Sequence, residues 1–284
     1  MLKSSYRFCI FIAFALCSPA WAGAQSSHQK VSVQYHSGFG FLDHSVNKIE
    51  GNSAALRPFF ERLFRLSGAS KDHMQVPIFH LGDSHLQAGF LGGTIMHCFQ
   101  RDFGNAGRGL ITPLKLAKTN EPFDYDIVSS DPWTASRCVS IRPSFGTGIG
   151  GIALRTPGGA YEMKLICKAQ SGVGYAFNKV RIFHAPNAPE EFHVASVDNS
   201  VTSCTRTQPF LTEMSLSKWS SKLDIQAGHV PHPSSSIYGF SLENGSPGVL
   251  YHAVGLNGAQ FFHYKRIDHF GQQIRSLNPF LIIV

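Results

Sequence analysis

Residue 84 is a serine placed where a short apolar run gives way to a helical pattern. Residues 76–81 (VPIFHL) read as a buried strand. Gly82, Asp83 and Ser84 form a tight turn, and from residue 85 to residue 103 apolar residues recur at helical spacing: Leu86, Phe90, Leu91, Ile95, Met96 and Phe99. A serine at such a turn is exposed at the carboxyl edge of a sheet. Its N–H points, with the first turn of the helix, toward any oxyanion that forms there. The chemistry this position suits is nucleophilic attack on an acyl carbonyl. Gly82 allows a close approach, and Asp83 can tie its carboxylate to neighbouring N–H groups. The same tripeptide is also an ordinary capped helix start, and taken alone it does not separate the two readings.

The elements around it follow from periodicity. Residues 53–66 carry Leu56, Phe59, Phe60, Leu63 and Phe64 on one helical face behind a Ser/Asn cap region. Residues 248–255 (GVLYHAVG) read as a second buried strand, followed by a turn at Asn257, Gly258 and Ala259. A helix is expected over 260–277, and residues 280–284 form a third buried strand. Strand, turn and helix in this order make the βα unit of an α/β sheet. Between these parts, residues 131–246 change texture. Glycine, proline and serine there punctuate short alternating stretches at 161–167, 179–184 and 192–197, as in antiparallel strands of a β-sandwich.

These motifs resemble the SGNH (GDSL) hydrolases. Residues 78–85 (IFHLGDSH) look like the family's first block and residues 251–259 (YHAVGLNGA) like its second. Residues 103–109 (FGNAGRG) are similar to a segment found in exported esterases related to bacterial peptidoglycan O-acetylesterases. The resemblance implies Ser84 as nucleophile and oxyanion donor and Gly258 as a second oxyanion donor, with Gly82, Asp83 and Asn257 supporting them. Asn257 is the weaker candidate of these and is read first as the cap of the following helix. The implied reaction is double-displacement hydrolysis of a carboxylic ester, with an acylated glycan or peptidoglycan as substrate and no metal or organic cofactor. The implied fold is α/β, a three-layer (flavodoxin-like) parallel sheet with an inserted antiparallel β-sandwich module. The expected parts are a signal peptide at 1–22, a leader at 23–50, core segments at 51–130 and 247–284, and the β module at 131–246. The family's Gly-x-Asn block and Asp-x-x-His pair do not follow residue 280, so the expectation is a truncated core with little activity alone.

Other readings stay open at this level. Arg108 suits either an anionic substrate group or a structural salt bridge. Asp268 and His269 fall inside the expected helix, where adjacent side chains diverge by about 100°, so they read as a surface pair. His85 follows the serine directly and should point away from it. His80, His252 and His263 fit core or sheet-edge roles. A different class is a non-catalytic exported glycan-binding protein, for which Trp133, Tyr175, Trp219 and Tyr238 would offer stacking faces.

The 284 residues carry a formal net charge of +7. The basic residues are scattered and do not alternate with aromatics, which speaks against a nucleic-acid groove. Residues 1–24 combine Lys3 and Arg7, an apolar run at 8–17 and small residues at 18–24. This is the layout of an export signal rather than a membrane span, which needs about 20 apolar residues. The product is then periplasmic or extracellular, with no stable membrane span after cleavage. Of six cysteines, Cys98, Cys138, Cys167 and Cys204 remain after cleavage, either as two disulfides or as buried thiols. Mass spectrometry of protein from the native host should find a mature N-terminus near Gly23 or Gln25. An intact Met1 would contradict the export reading.

Overall fold

The computed structural model describes residues 49–67, 74–156, 161–169, 173–186, 192–195, 199–227 and 236–284, with isolated positions 41, 43 and 46 before them. The expected signal peptide and most of the expected leader lie outside the described residues. The chain divides into two units, Met1–Gly51 and Asn52–Val284. In the first, the described Phe41, Val46 and Ile49 are exposed. All that follows concerns the second.

Its elements run α1 Ser53–Ser67, β1 Gln75–Gly82, α2 Ser84–Gln87, α3 Phe90–Phe103, β2 Gly107–Ile111, β3 Tyr125–Val128, β4 Thr134–Arg137 and β5 Ile152–Arg155. They continue with β6 Tyr161–Cys167, β7 Phe177–His184, β8 Phe192–Val194, β9 Val201–Gln208, β10 Leu211–Ser220, β11 Lys222–Ala227 and β12 Ser236–Glu243. The last are β13 Gly248–Gly255, α4 Phe261–Tyr264, α5 Phe270–Ser276 and β14 Leu281–Ile283.

β1 lies between β13 and β14, both parallel to it. A strand flanked on both edges and covered on both faces must be apolar almost throughout, and Val76, Ile78, Phe79 and Leu81 are all buried. Pro77 has no N–H to give. Pairing with β14 starts only at Ile78, and the Pro77 carbonyl still accepts from Phe280 N–H at 2.9 Å. Gly92 of α3 comes so close to β13 that a Cβ there would sit 3.3 Å from Ala253 Cβ. From the neighbouring strand position, Phe79 meets the Phe270 ring of α5 at 6.3 Å.

These three strands, with an isolated parallel bridge between Asn105 and Val249, are the whole parallel part among the described residues. The other eleven strands form a seven-stranded sheet, with β4, β5, β12, β7, β10 and β9 in order and β2 also on β12, and a four-stranded sheet ordered β3, β6, β11, β8. Every pairing described in these two sheets is antiparallel. The expected three-layer parallel α/β sheet is therefore corrected to a mostly antiparallel protein with a small parallel sheet. The physical reason is connectivity. Each parallel link needs a crossover, and the chain makes only two here, from β1 to β13 and from β13 to β14. Antiparallel pairing also reaches back before residue 131, because β2 pairs with β12 and β3 with β6.

Two expected helices are broken. The pattern over 85–103 is split at Gly89, which takes φ +80 with Pro122 packed where a Cβ would stand, 2.8 Å away. The pattern over 260–277 becomes α4 and α5. Asp268 N–H donates to Thr147 O (3.3 Å), and the buried Gln273 side chain donates to Asp268 O (2.7 Å). Neighbouring groups thus take the bonds a continuous helix would use. His269 between the helices has φ +54. No disulfide links the four cysteines: Cys138 and Cys167 are buried, Cys98 and Cys204 exposed.

The two kinds of sheet meet along residues 104–111. Ala106 N–H donates to Val249 O of β13 (3.3 Å), and β2 then pairs with β12. Backbone packs on backbone there. A Cβ on Gly107 would lie 2.4 Å from Leu242 O, and one on Gly109 (φ +72) 2.4 Å from Tyr251 O. Gly109→Ala combines that collision with a backbone conformation alanine resists. It should destabilise the fold by at least about 2 kcal/mol in urea denaturation; an unchanged midpoint would contradict this account of the junction.

Candidate functional site

The carboxyl ends of β1 and β13 are in register, Gly82 opposite Gly255. Asp83 follows Gly82 as the N-cap of α2, its Oδ1 accepting from His85 N–H at 2.9 Å and contacting His85 Nδ1 at 2.8 Å. The His85 backbone N–H, then its side chain, hold the Asp83 carboxyl below the usual carboxylate range. Ser84 is exposed, and its hydroxyl makes no hydrogen bond among the described residues. A Cβ on Gly82 would come within 2.9 Å of Leu86, and the Gly82 carbonyl accepts from the Tyr264 hydroxyl at 2.6 Å.

The end of β13 lies directly against this turn. A Cβ on Gly255 would stand 2.4 Å from Gln87 N and 2.5 Å from Asp83 O, so only glycine fits. Gly258, three residues further on, takes φ +75 with open space around it. Asn257 does not cap the next helix, where Gln260 is the N-cap. Its N–H instead donates to Gln87 Oε1, and its side-chain amide donates to Asn120 Oδ1 at 2.7 Å.

Gln87 is the residue that sequence reading missed. Its side chain is buried, with Nε2 donating to Thr119 Oγ1 and Asn120 O, each at 2.7 Å, while Oε1 takes the Asn257 N–H. One amide thus ties the serine-bearing helix to the turn after β13 and to the 119–120 turn. Nothing in a four-residue helix signals which polar residue turns inward; Gly255 showed only as the end of a strand.

The histidines near the site are engaged elsewhere. His80 Nδ1 is bonded to the Tyr251 hydroxyl, and burial lowers its pKa. His252 is fully buried, its Nδ1 accepting from Leu110 N–H at 3.1 Å; burial, then Arg181 and Arg108, push its pKa down to about 3. His263 Nδ1 accepts from Gln260 N–H at 2.9 Å in a reciprocal cap. Asp268 and His269 are both exposed. Arg108 is structural: buried beneath the Tyr125 ring, it pairs with the buried Asp124 and gives Nη1–H to Leu110 O at 3.3 Å. Of the four aromatics suited to glycan stacking, Tyr175 and Tyr238 are buried, Trp133 is half-buried against Tyr161, and Trp219 is 55% exposed.

A cleft of about 350 Å³ opens beside the turn, bounded by His80, Gly82, Asp83, His85, Leu91 and Phe261. Among the described residues no cluster of three or more His, Cys, Asp or Glu could hold a metal, and no helix is long and apolar enough to cross a membrane.

No family model matches the sequence, and no curated protein matches it. The fold is shared with a solved structure of a peptidoglycan O-acetylesterase, at a TM-score of 0.60 and 18% identity over 79% of this chain. The chain spans 59% of that structure's length. A human F-spondin reeler domain aligns over 46% of this chain and 83% of its own, with 12% identity, at a TM-score of 0.28, below the level at which two folds correspond.

Gln87→Leu keeps the volume but leaves the Asn257 N–H and the Thr119 and Asn120 acceptors without their partner. The expected cost is about 1–3 kcal/mol, with exchange of the Asn257 amide proton faster by about tenfold or more. Unchanged exchange at Asn257 would show that Gln87 does not hold the turn.

Proposed function

We propose that this protein is an exported serine esterase of the SGNH type that removes O-acetyl groups from a cell-wall or extracellular glycan. The observation that carries the reading is the position of Ser84: exposed, at the strand-to-helix turn of the central parallel strand, in a fold shared with a solved peptidoglycan O-acetylesterase. In this reading Ser84 Oγ attacks the acetyl carbonyl as its proton passes to a general base. The N–H groups of Ser84 and Gly258 receive the negative charge of the tetrahedral intermediate, and the sugar hydroxyl leaves. Water then releases acetate from the acyl-enzyme by the same route.

The supporting residues act through geometry. Asp83 spends its carboxylate on the backbone of the turn and on His85, which fixes the start of α2. Gly82 and Gly255 let the two strand ends approach closely enough for the turns beyond them to share one site. Asn257, held by Gln87 and Asn120, sets the path of the chain into Gly258. A serine hydroxyl is a weak nucleophile at neutral pH, so the base contributes most of the rate. No described imidazole is hydrogen-bonded to Ser84, and none is assigned that role.

The test uses the protein as its host makes it, with 4-nitrophenyl acetate and O-acetylated peptidoglycan as substrates. Ser84→Ala should lower kcat/KM by about 10⁴-fold or more on both, with the folded structure intact by circular dichroism. A Ser84→Ala protein that keeps its activity would falsify the assignment of Ser84.

A further inference from the structure

A second cleft, of about 460 Å³, lies away from Ser84, between α5 and the turn joining β9 to β10. Its walls are fixed. Arg181 on β7 donates to Ser276 O at 2.8 Å, and the Phe210 carbonyl accepts from His184 N–H at 3.0 Å. The buried Gln273 anchors α5 from behind by accepting from Ile149 N–H at 2.9 Å and donating to Asp268 O. A cavity of this volume, with walls already in place, suits a small ligand such as one or two sugar rings.

The lining combines the apolar Pro186, Pro209 and Phe210 with polar side chains, and its charge is of one sign. Arg275 faces the cleft and has no carboxylate partner among the described residues, and no described residue lining the cleft is acidic. Glycine inside a helix is unfavourable, yet Gly271 stands one turn before Arg275, whose Nη1 is 3.5 Å from where a Cβ on Gly271 would be. The guanidinium thus lies back along the helix, at ordinary contact distance from that position. Gln208 and Gln272 add two amides, each able to donate and accept. The exposed His269 ring lies nearly parallel to Phe210, at 14° between planes and 6.5 Å between centroids, and its backbone is left-handed.

We propose that this cleft binds a sugar carrying a carboxylate. The Arg275 guanidinium takes the carboxylate through paired N–H donors, Gln208 and Gln272 take ring hydroxyls, and the His269 ring offers a flat face to the sugar. The neutral sugar lacks the group that Arg275 recognises, so the cleft distinguishes the acid from its uncharged parent. The proposal does not depend on the esterase reading.

The experiment is an amide-resolved NMR titration of the full chain with N-acetylmuramic acid, N-acetylglucosamine and lactate. The two sugars differ only in the lactyl ether that carries the carboxylate. N-acetylmuramic acid should shift amides at 208–210 and 269–276 and bind about tenfold more tightly than N-acetylglucosamine. Arg275→Gln should abolish that preference, and Gly271→Leu, which keeps the charge but crowds the guanidinium, should weaken it. Equal binding of the two sugars, or a preference that survives in Arg275→Gln, would overturn the proposal. Lactate binding as tightly as N-acetylmuramic acid would overturn its sugar component. No ester is involved, so neither result bears on Ser84.

Discussion

The close passage of residues 104–111 between β13 and β12 is the contact on which the rest of the molecule depends. On one side Ala106 N–H reaches Val249, and on the other β2 completes an antiparallel pair with β12. Gly248 closes the same gap from β13, where a Cβ would lie 2.4 Å from the Gly104 backbone. Side chains here would push the parallel strands and the antiparallel sheet apart. Inside the junction, the buried Arg108 and Asp124 satisfy each other, so a charged pair is carried at a place with no water to solvate it.

That junction sets the position of β13, and β13 sets the site. Gly255 brings the strand end against the Asp83 and Gln87 backbone, and Gln87 then holds Asn257 from the serine-bearing helix. The two turns that follow Gly82 and Gly255 are therefore coupled through one buried amide rather than through contacts of their own side chains. Tyr264 adds a third tie by donating to the Gly82 carbonyl, so the helices after β13 also bear on the turn that carries Ser84. Hydrogen bonds of this kind restrict geometry more than they add to net stability.

Local signals were legible in the sequence. The apolar run of β1, the turn at Ser84, the GVLYHAVG strand and the span of α1 stand where their periodicity puts them, although α1 buries Phe59, Leu63 and Leu66 and leaves the expected Phe60 and Phe64 exposed. What sequence reading lost was set by distant neighbours. Gly89 breaks the helical pattern because Pro122 occupies the space, and the expected helix over 260–277 breaks because Thr147 and Gln273 claim the Asp268 backbone. The three-layer parallel fold is what the family resemblance implies, and only its βα unit at β1 stands. Residues 107–111 (GRGLI) lack the alternation that would have marked β2 as a partner of β12. Among the candidate site residues, Asn257 was read by its type as a helix cap, whereas its partners lie on segments far away in sequence.

The pairing of β1 with β13 also imposes an order on synthesis. His80 and its partner Tyr251 are 171 residues apart, and at ribosomal speeds of about 5–20 residues per second β1 waits on the order of 10–30 s before β13 exists. During that time the run VPIFHL has neither of its parallel neighbours and none of the later helix α5. An unpaired apolar strand offers its edge to other nascent chains, and Pro77, with no N–H to give, blunts that edge. The central position that gives β1 its burial in the finished protein thus leaves it uncovered until late in synthesis.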